Sequence, residues 1–180
     1  MAIDNGPDPD AARRDAALRA RGLHQAADAE LDAIAAEVAK QAAGIAEIPY
    51  LPSSMVNWRT ADRQFFAGLH VATGGLGGAT ADDIPRHMDL EDGWCPKVVR
   101  RMKAYPLDDV RDSSRWAGNP VTNALGIRAY LGAPVFDPDD DTLVLGSVCV
   151  VDTVERPWGR EGLALIKNVA LEITAYINRL

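Results

Sequence analysis

The spacing of apolar positions changes character along the chain, and each change marks a predicted element. From Asp10 to about Ala43 the chain is alanine-rich and free of proline. Leu31, Ile34, Val38 and Ala42 recur there at three- and four-residue steps, which predicts helix with one apolar stripe. Gly22 is expected to divide this region into a short and a longer helix, with Asp10 capping the first. Residues 1–9, polar and proline-containing, are expected to be a disordered tail.

Beyond Pro49 the period shortens. "SSMVNWRT" (53–60) and "QFFAGLHVA" (64–72) predict two strands joined by a turn at Ala61-Asp62-Arg63. "EDGWCPKVVRRMKA" (91–104) predicts a helix with Asp92 near its cap and Pro96 in the first turn, where a missing amide donor does no harm. "DDVRD" (108–112) is expected as a short strand. "NPVTNALG" (119–126) is expected as a short helix capped by Asn119, with Pro120 first and Gly126 closing it.

"IRAYLGAPVF" (127–136) and "TLVLGSVCVVD" (142–152) predict the strongest strands, joined by a "DPDDD" hairpin turn. In the second, strict alternation puts Leu145, Cys149 and Val151 on one face and Val144, Val148 and Val150 on the other. A strand apolar on both faces needs a covering layer on each side of its sheet. The last helix, about 160–180, carries Leu163, Ile166, Ala170, Ile173, Ile177 and Leu180 at steps of three and four, with Leu165 and Val169 beside them. This heptad-like seam is a candidate homodimer interface, because so wide an apolar surface can serve both its own sheet and a second subunit.

The chain has 180 residues, 47% of them apolar, enough for one domain with its own core. Its net charge of −7 argues against nucleic acid and anionic membrane surfaces as partners. Lys97, Arg100, Arg101 and Lys103 form the nearest thing to a basic patch and are expected to solvate a helix face. No run approaches a membrane span and no signal core opens the chain, so a cytoplasmic protein with Cys95 and Cys149 reduced is expected. Those cysteines and the single His24, His70 and His87 match no metal-ligand spacing.

Two loops invite chemistry and fail to support it. "GGLGGATADD" (74–83) starts a G-x-G-x-x-G pattern but has Thr80 at the third glycine and no Walker lysine. The "DPDDD" turn lacks the glycine and terminal glutamate of an EF-hand. Among the thiols, Cys149 lies between Val148 and Val150 on a predicted central strand, where burial keeps a thiol protonated. Cys95, near a helix N-terminus, is the better candidate for a thiolate.

Several segments, in order, resemble a GAF domain. They are "RRDAALRARGL", "ADRQFFAGL", "GWCPKVV", "VRDSSRWAGNPVT", "GIRAYLGAPV" and "LGSVCVVDTVERPWGREGLALIKNVA", which together reach from about Arg13 to Leu180. The resemblance implies an α/β, PAS-like fold with a central antiparallel sheet, helices on both faces, and the N- and C-terminal helices packed together. It makes 44–180 the sensory domain behind a helical segment at 10–43.

It also implies a pocket between the sheet and the layer formed by about Trp94 to Gly126. Trp94 and Trp116 would offer apolar faces there, Asp112, Arg115 and Arg128 charge, and Tyr130 a hydroxyl. Three functions remain open at this point. The first is a non-catalytic sensor of an unidentified small molecule, acting in trans on a signalling protein. The second is a thiol enzyme of the free methionine-(R)-sulfoxide reductase type, although that family's cysteine pattern is absent. The third is a ligand-free dimerisation module. The sequence specifies no cofactor.

Overall fold

Two helices open the chain, α1 (Ala11–Ala20) and α2 (Ala29–Ile45), separated at Gly22, whose φ of 68° no β-carbon favours. In this computed structural model, residues 6–45, 48–112, 114, 116 and 119–180 are described. Asp10 stands at the start of α1, but its carboxylate accepts from Arg13 at 2.9 Å and caps no amide. The side-chain cap belongs to α2, where Asp28 Oδ1 accepts from the amides of Glu30 and Leu31 at 2.8 and 3.1 Å. Asp8, inside the segment expected to be a free tail, is tied down by the buried guanidiniums of Arg14 (2.8 Å) and Arg59 (3.0 Å).

The remainder runs β1 (Ser53–Arg59), β2 (Gln64–His70), β3 (His87–Met88), α3 (Cys95–Arg101), β4 (Tyr105–Leu107), α4 (Pro120–Leu125), β5 (Ala129–Asp137), β6 (Asp140–Asp152) and α5 (Gly159–Ile177). The six strands form one antiparallel sheet in the order β3-β2-β1-β6-β5-β4. The expected hairpins at 61–63 and 137–141 are both present. The acidic turn of the second meets Arg21, which donates to Asp137 and Asp139. Asn119 caps α4 through the amide of Val121 at 3.0 Å, and Gly126 closes that helix in the left-handed region.

Three expectations are corrected. "DDVRD" is no strand: Asp109 accepts from the amide of Arg111 at 3.0 Å and bends the chain into a short 3-10 turn at Val110–Asp112. The strand lies just before it, at β4, where an edge position tolerates Pro106. Helix α3 begins only at Cys95, so Asp92 lies outside it and Trp94 holds the N-cap position without a side-chain bond.

The third correction concerns the faces of β6. A bulge skips Leu145, because Val135 pairs with Gly146 and Phe136 with Val144. Beyond it the alternation inverts, and Leu143 and Leu145 join Val148 and Val150 on the face covered by α1, α2 and α5. Cys149 and Val151 occupy the opposite face, under α3 and the loops. The bulge needs Gly146, since a β-carbon there would come within 2.0 Å of the Asn57 carbonyl oxygen.

On the helical side, Ile166, Ala170, Ile173 and Ile177 of α5 lie against the domain's own sheet, buried in a single chain. Burying each isoleucine contributes roughly 1.5–3 kcal/mol. Four of the six seam residues are therefore spent within the domain; Leu163 is half-buried and Leu180 exposed at the chain end. The helices at the two ends do pack together: Tyr176 Oη donates to Asp28 Oδ2 at 2.5 Å. No described helix is long and apolar enough to cross a membrane.

Candidate functional site between the sheet and the helix–loop layer

Three adjacent strands build the floor. Across β1, β6 and β5, Asn57 pairs with Ser147 and Ser147 with Pro134; the next row on the same face is Met55, Cys149 and Gly132. Gly132 is a matter of space. The Tyr130 ring leans over it, and a β-carbon at position 132 would sit 2.2 Å from the Tyr130 hydroxyl. That hydroxyl meets Cys95 Sγ, at the first residue of α3, at 3.3 Å. Cys149 Sγ donates to Met55 Sδ at 3.9 Å.

The roof is aromatic. Trp94 packs on Tyr130 with ring centroids 5.4 Å apart, and Trp116 meets Trp94 edge-on at 6.4 Å. Tyr105 in turn lies edge-on to Trp116 at 6.2 Å. Lys97 closes one side, with its Nζ 2.9 Å from the Tyr105 hydroxyl and 4.7 Å from the Trp116 ring centre.

Polar groups are buried in this otherwise apolar shell. Asn57 Nδ2 donates to Gln64 Oε1 at 2.7 Å, and Gln64 donates to the carbonyls of Asp89 and Asp92 at 2.6 and 2.9 Å, which pins the loop before α3. Asn57 Oδ1, Ser147 Oγ and Trp94 Nε1 are buried with no hydrogen-bond partner of ordinary geometry. Leaving such groups unmatched costs about 1–3 kcal/mol each, which is unusual in a packed interior.

The two thiols are electrically unlike. Hydrogen bonding from the Cys149 thiol, against the opposing effect of burial, holds the Cys95 thiol below its usual range, with Ser147, Tyr130 and Asn57 adding to the same direction. Cys149 is pushed the other way, by its contact with Cys95 first and then by burial.

Of the residues the sequence nominated, Trp94, Trp116 and Tyr130 are brought together, with exposures of 2%, 7% and 1%. Asp112 and Arg128 are not. Arg128 is half-buried, paired with Asp109 and facing Glu155 at 3.8 Å, while Asp112 is exposed at the end of the 3-10 turn. Arg128 thus holds the loop before β5. Arg115 lies outside the described residues. Sequence reasoning misses Met55, Asn57 and Ser147, and gives Cys149 only the place of a buried, protonated thiol. Their signal was present: Asn57 and Ser147 are polar side chains inside otherwise apolar strand interiors, and their facing each other follows from a register that spacing alone does not give.

This arrangement, a six-stranded antiparallel sheet with three helices on one face and an aromatic-roofed helix–loop layer on the other, defines the chain as a PAS-like α/β module. The family model described as GAF domain matches residues 23–177, and the chain belongs to that family. Among solved structures it is similar to the GAF domain of an Acinetobacter phosphoenolpyruvate-protein phosphotransferase (14% identity, 94% of this chain and 92% of that one, TM-score 0.60). It is also similar to the GAF region of a Geobacter sulfurreducens membrane protein (11%, 91% and 99%, 0.58). A third is the type II free methionine-R-sulfoxide reductase of Thermoplasma acidophilum (11%, 83% and 95%, 0.56). At these identities the likeness is one of fold. No curated protein sequence matches the chain.

Proposed function

We propose that the chain is a non-catalytic sensory domain that binds a small molecule between the central sheet and the α3–α4 layer and reports it in trans to a signalling partner. The observation that carries this reading is the set of unmatched buried groups, Asn57 Oδ1, Ser147 Oγ and Trp94 Nε1, beneath the Trp94–Trp116 pair. Their chemistry suits a compact, flat ligand that offers both a hydrogen-bond donor and an acceptor. Membership of a family that is in general sensory and ligand-binding supports the same reading. A cytoplasmic location and a homodimer belong to it as well. With the inner face of α5 engaged, the second copy would meet the outer face, where Leu171 is 67% exposed.

The test is a thermal-shift and native-mass panel of nucleotides, flavins, haem and amino-acid metabolites on the purified protein. A compound that raises the melting temperature of the wild type and binds at least about tenfold more weakly to Ser147→Ala supports the proposal. If no compound shifts the melting temperature and the protein leaves the cell at its bare mass, the reading fails. A ligand-free dimer in solution would then favour the interaction module.

A further inference from the structure

The outer edge of the sheet carries a feature that the loop-face pocket does not use. Strand β4 is short and pairs with β5 only at Tyr130, Leu131 and Gly132. From Ala133 to Phe136 the outer edge of β5 has no strand beside it among the described residues, and α5 lies against it. This leaves a groove of about 580 Å³, a volume within the range of small-molecule sites. Leu163 and Leu171 of α5 line it on one side and Met102, at the end of α3, on the other, with Pro134 and Phe136 along the edge between them.

The lining says what would fill it. Met102 and Leu171 are large apolar side chains left 41% and 67% exposed. Met102 ends α3 at a φ of 52°, in the left-handed region where glycine is the usual residue. Pro134 has no amide to donate, so a peptide strand added along this edge would lack a ladder hydrogen bond. The groove therefore suits the apolar body of a small molecule better than an extended peptide.

Charge describes the other end of that molecule. Lys103 and Lys167 line the groove from its two sides, both exposed, and neither reaches a carboxylate among the described residues. Arg160, three residues before Leu163 on the same stripe of α5, reaches none either. Lys97 and Arg101 complete the cluster, also without a carboxylate, over the Tyr105 ring at 4.3 and 5.8 Å. Every other arginine and lysine among the described residues lies within ion-pair distance of an acidic side chain. In a chain of net charge −7, cations without acidic partners thus collect along one edge, around one apolar groove.

We propose that this groove binds an amphiphilic carboxylate, an unbranched fatty acid of medium length, with its chain over Pro134 and Phe136 and its carboxylate between Lys103 and Lys167. The site lies on the α5 side of the sheet, apart from Asn57 and Ser147, and does not rest on the loop-face reading. It shares Leu171 with the proposed second copy, so the bound carboxylate and that copy exclude each other.

The lysines of the chain are Lys40, Lys97, Lys103 and Lys167, so acetylation footprinting reads the site residue by residue. Full-length protein is trace-labelled with an acetylating agent, with and without decanoate below its micelle concentration, then digested and weighed. Labelling of Lys103 and Lys167 is expected to fall severalfold, with Lys40 unchanged. The double variant Lys103→Gln, Lys167→Gln breaks no ion pair and is expected to melt with the wild type. It should bind decanoate about fivefold or more weakly by calorimetry. Decyltrimethylammonium, with the same chain and the opposite charge, is expected to protect neither lysine. Unchanged labelling of Lys103 and Lys167 at the highest decanoate concentration would overturn the proposal, as would equal protection of Lys40. Protection of Lys97 alone would place the chain in the loop-face pocket and overturn it too. Wild-type affinity in the double variant, or a dimer fraction that rises with decanoate, would do the same.

Discussion

The two faces of the sheet are made by the same strands and obey different rules. Against α1, α2 and α5 the strands present Val56, Trp58, Leu131, Val135, Leu145, Val148 and Val150, a layer of large apolar side chains. Against α3 and the loops they present Asn57, Ser147 and a glycine among Met55, Phe66, Leu69, Tyr130, Cys149 and Val151, beneath two tryptophans. The first face is what a stable domain needs, with one buried polar atom, Trp58 Nε1, left without a partner. The second buries three polar atoms, Asn57 Oδ1, Ser147 Oγ and Trp94 Nε1, with no hydrogen-bond partner of ordinary geometry, an arrangement that lowers stability unless something else makes use of it.

That contrast is open to measurement. The largest effect is expected on the helical face: Ile173→Ala, at a fully buried position, should lower unfolding free energy by about 2–5 kcal/mol in a denaturant titration. Gly132→Ala on the other face should cost about 1–3 kcal/mol by driving a methyl group into the Tyr130 hydroxyl. Combining it with Tyr130→Leu should recover much of that loss, and additive losses would disprove the steric account.

A smaller effect concerns the tie between the N-terminus and both layers. Burial of Asp8 opposes its ionisation, but hydrogen bonds and charge from Arg14, then Arg59, outweigh it and lower its pKa from 3.8 to about 2. Because the folded value lies below the unfolded one, the stabilisation is fully present above about pH 3.8 and is lost as pH falls through about 2. Asp8→Asn should flatten the acid limb of the stability profile, and an unchanged limb would show that Asp8 is not held. The smallest expected change is the most telling. Ser147→Ala removes an unmatched buried hydroxyl and should leave stability within about 0.5 kcal/mol of wild type. A large loss would mean that the hydroxyl is a structural member of the core.

Much of this was legible in the sequence, and the exceptions share a cause. Turn chemistry is local, so the Asp62 and Asp137–Asp140 hairpins and the Asn119-Pro120…Gly126 helix could be read directly. Side-chain face is local only while alternation holds. The bulge at Leu145 inverts it, and its reason, the close approach of the Asn57 carbonyl to Gly146, lies on another strand. The α5 stripe was found correctly, but spacing cannot say whether a stripe meets its own sheet or a second chain; Ile166 and Ile173 meet the sheet. Trp94, Trp116 and Tyr130 were nominated and do converge, whereas Arg128 found Asp109 outside the pocket. Asn57, Ser147, Met55 and Cys149 become neighbours only through strand register, which brings distant positions into adjacent rows.

In the proposed function the unmatched polar groups of the loop face serve a bound molecule. The direct measurement is a crystal structure of the protein as purified from its cells, read at Asn57 Oδ1, Ser147 Oγ and Trp94 Nε1. The account predicts density for a compact molecule other than water within hydrogen-bond distance of at least one of the three. Density showing the three groups paired with one another or with neighbouring side chains, and the space between sheet and α3 filled by the protein itself, would contradict it.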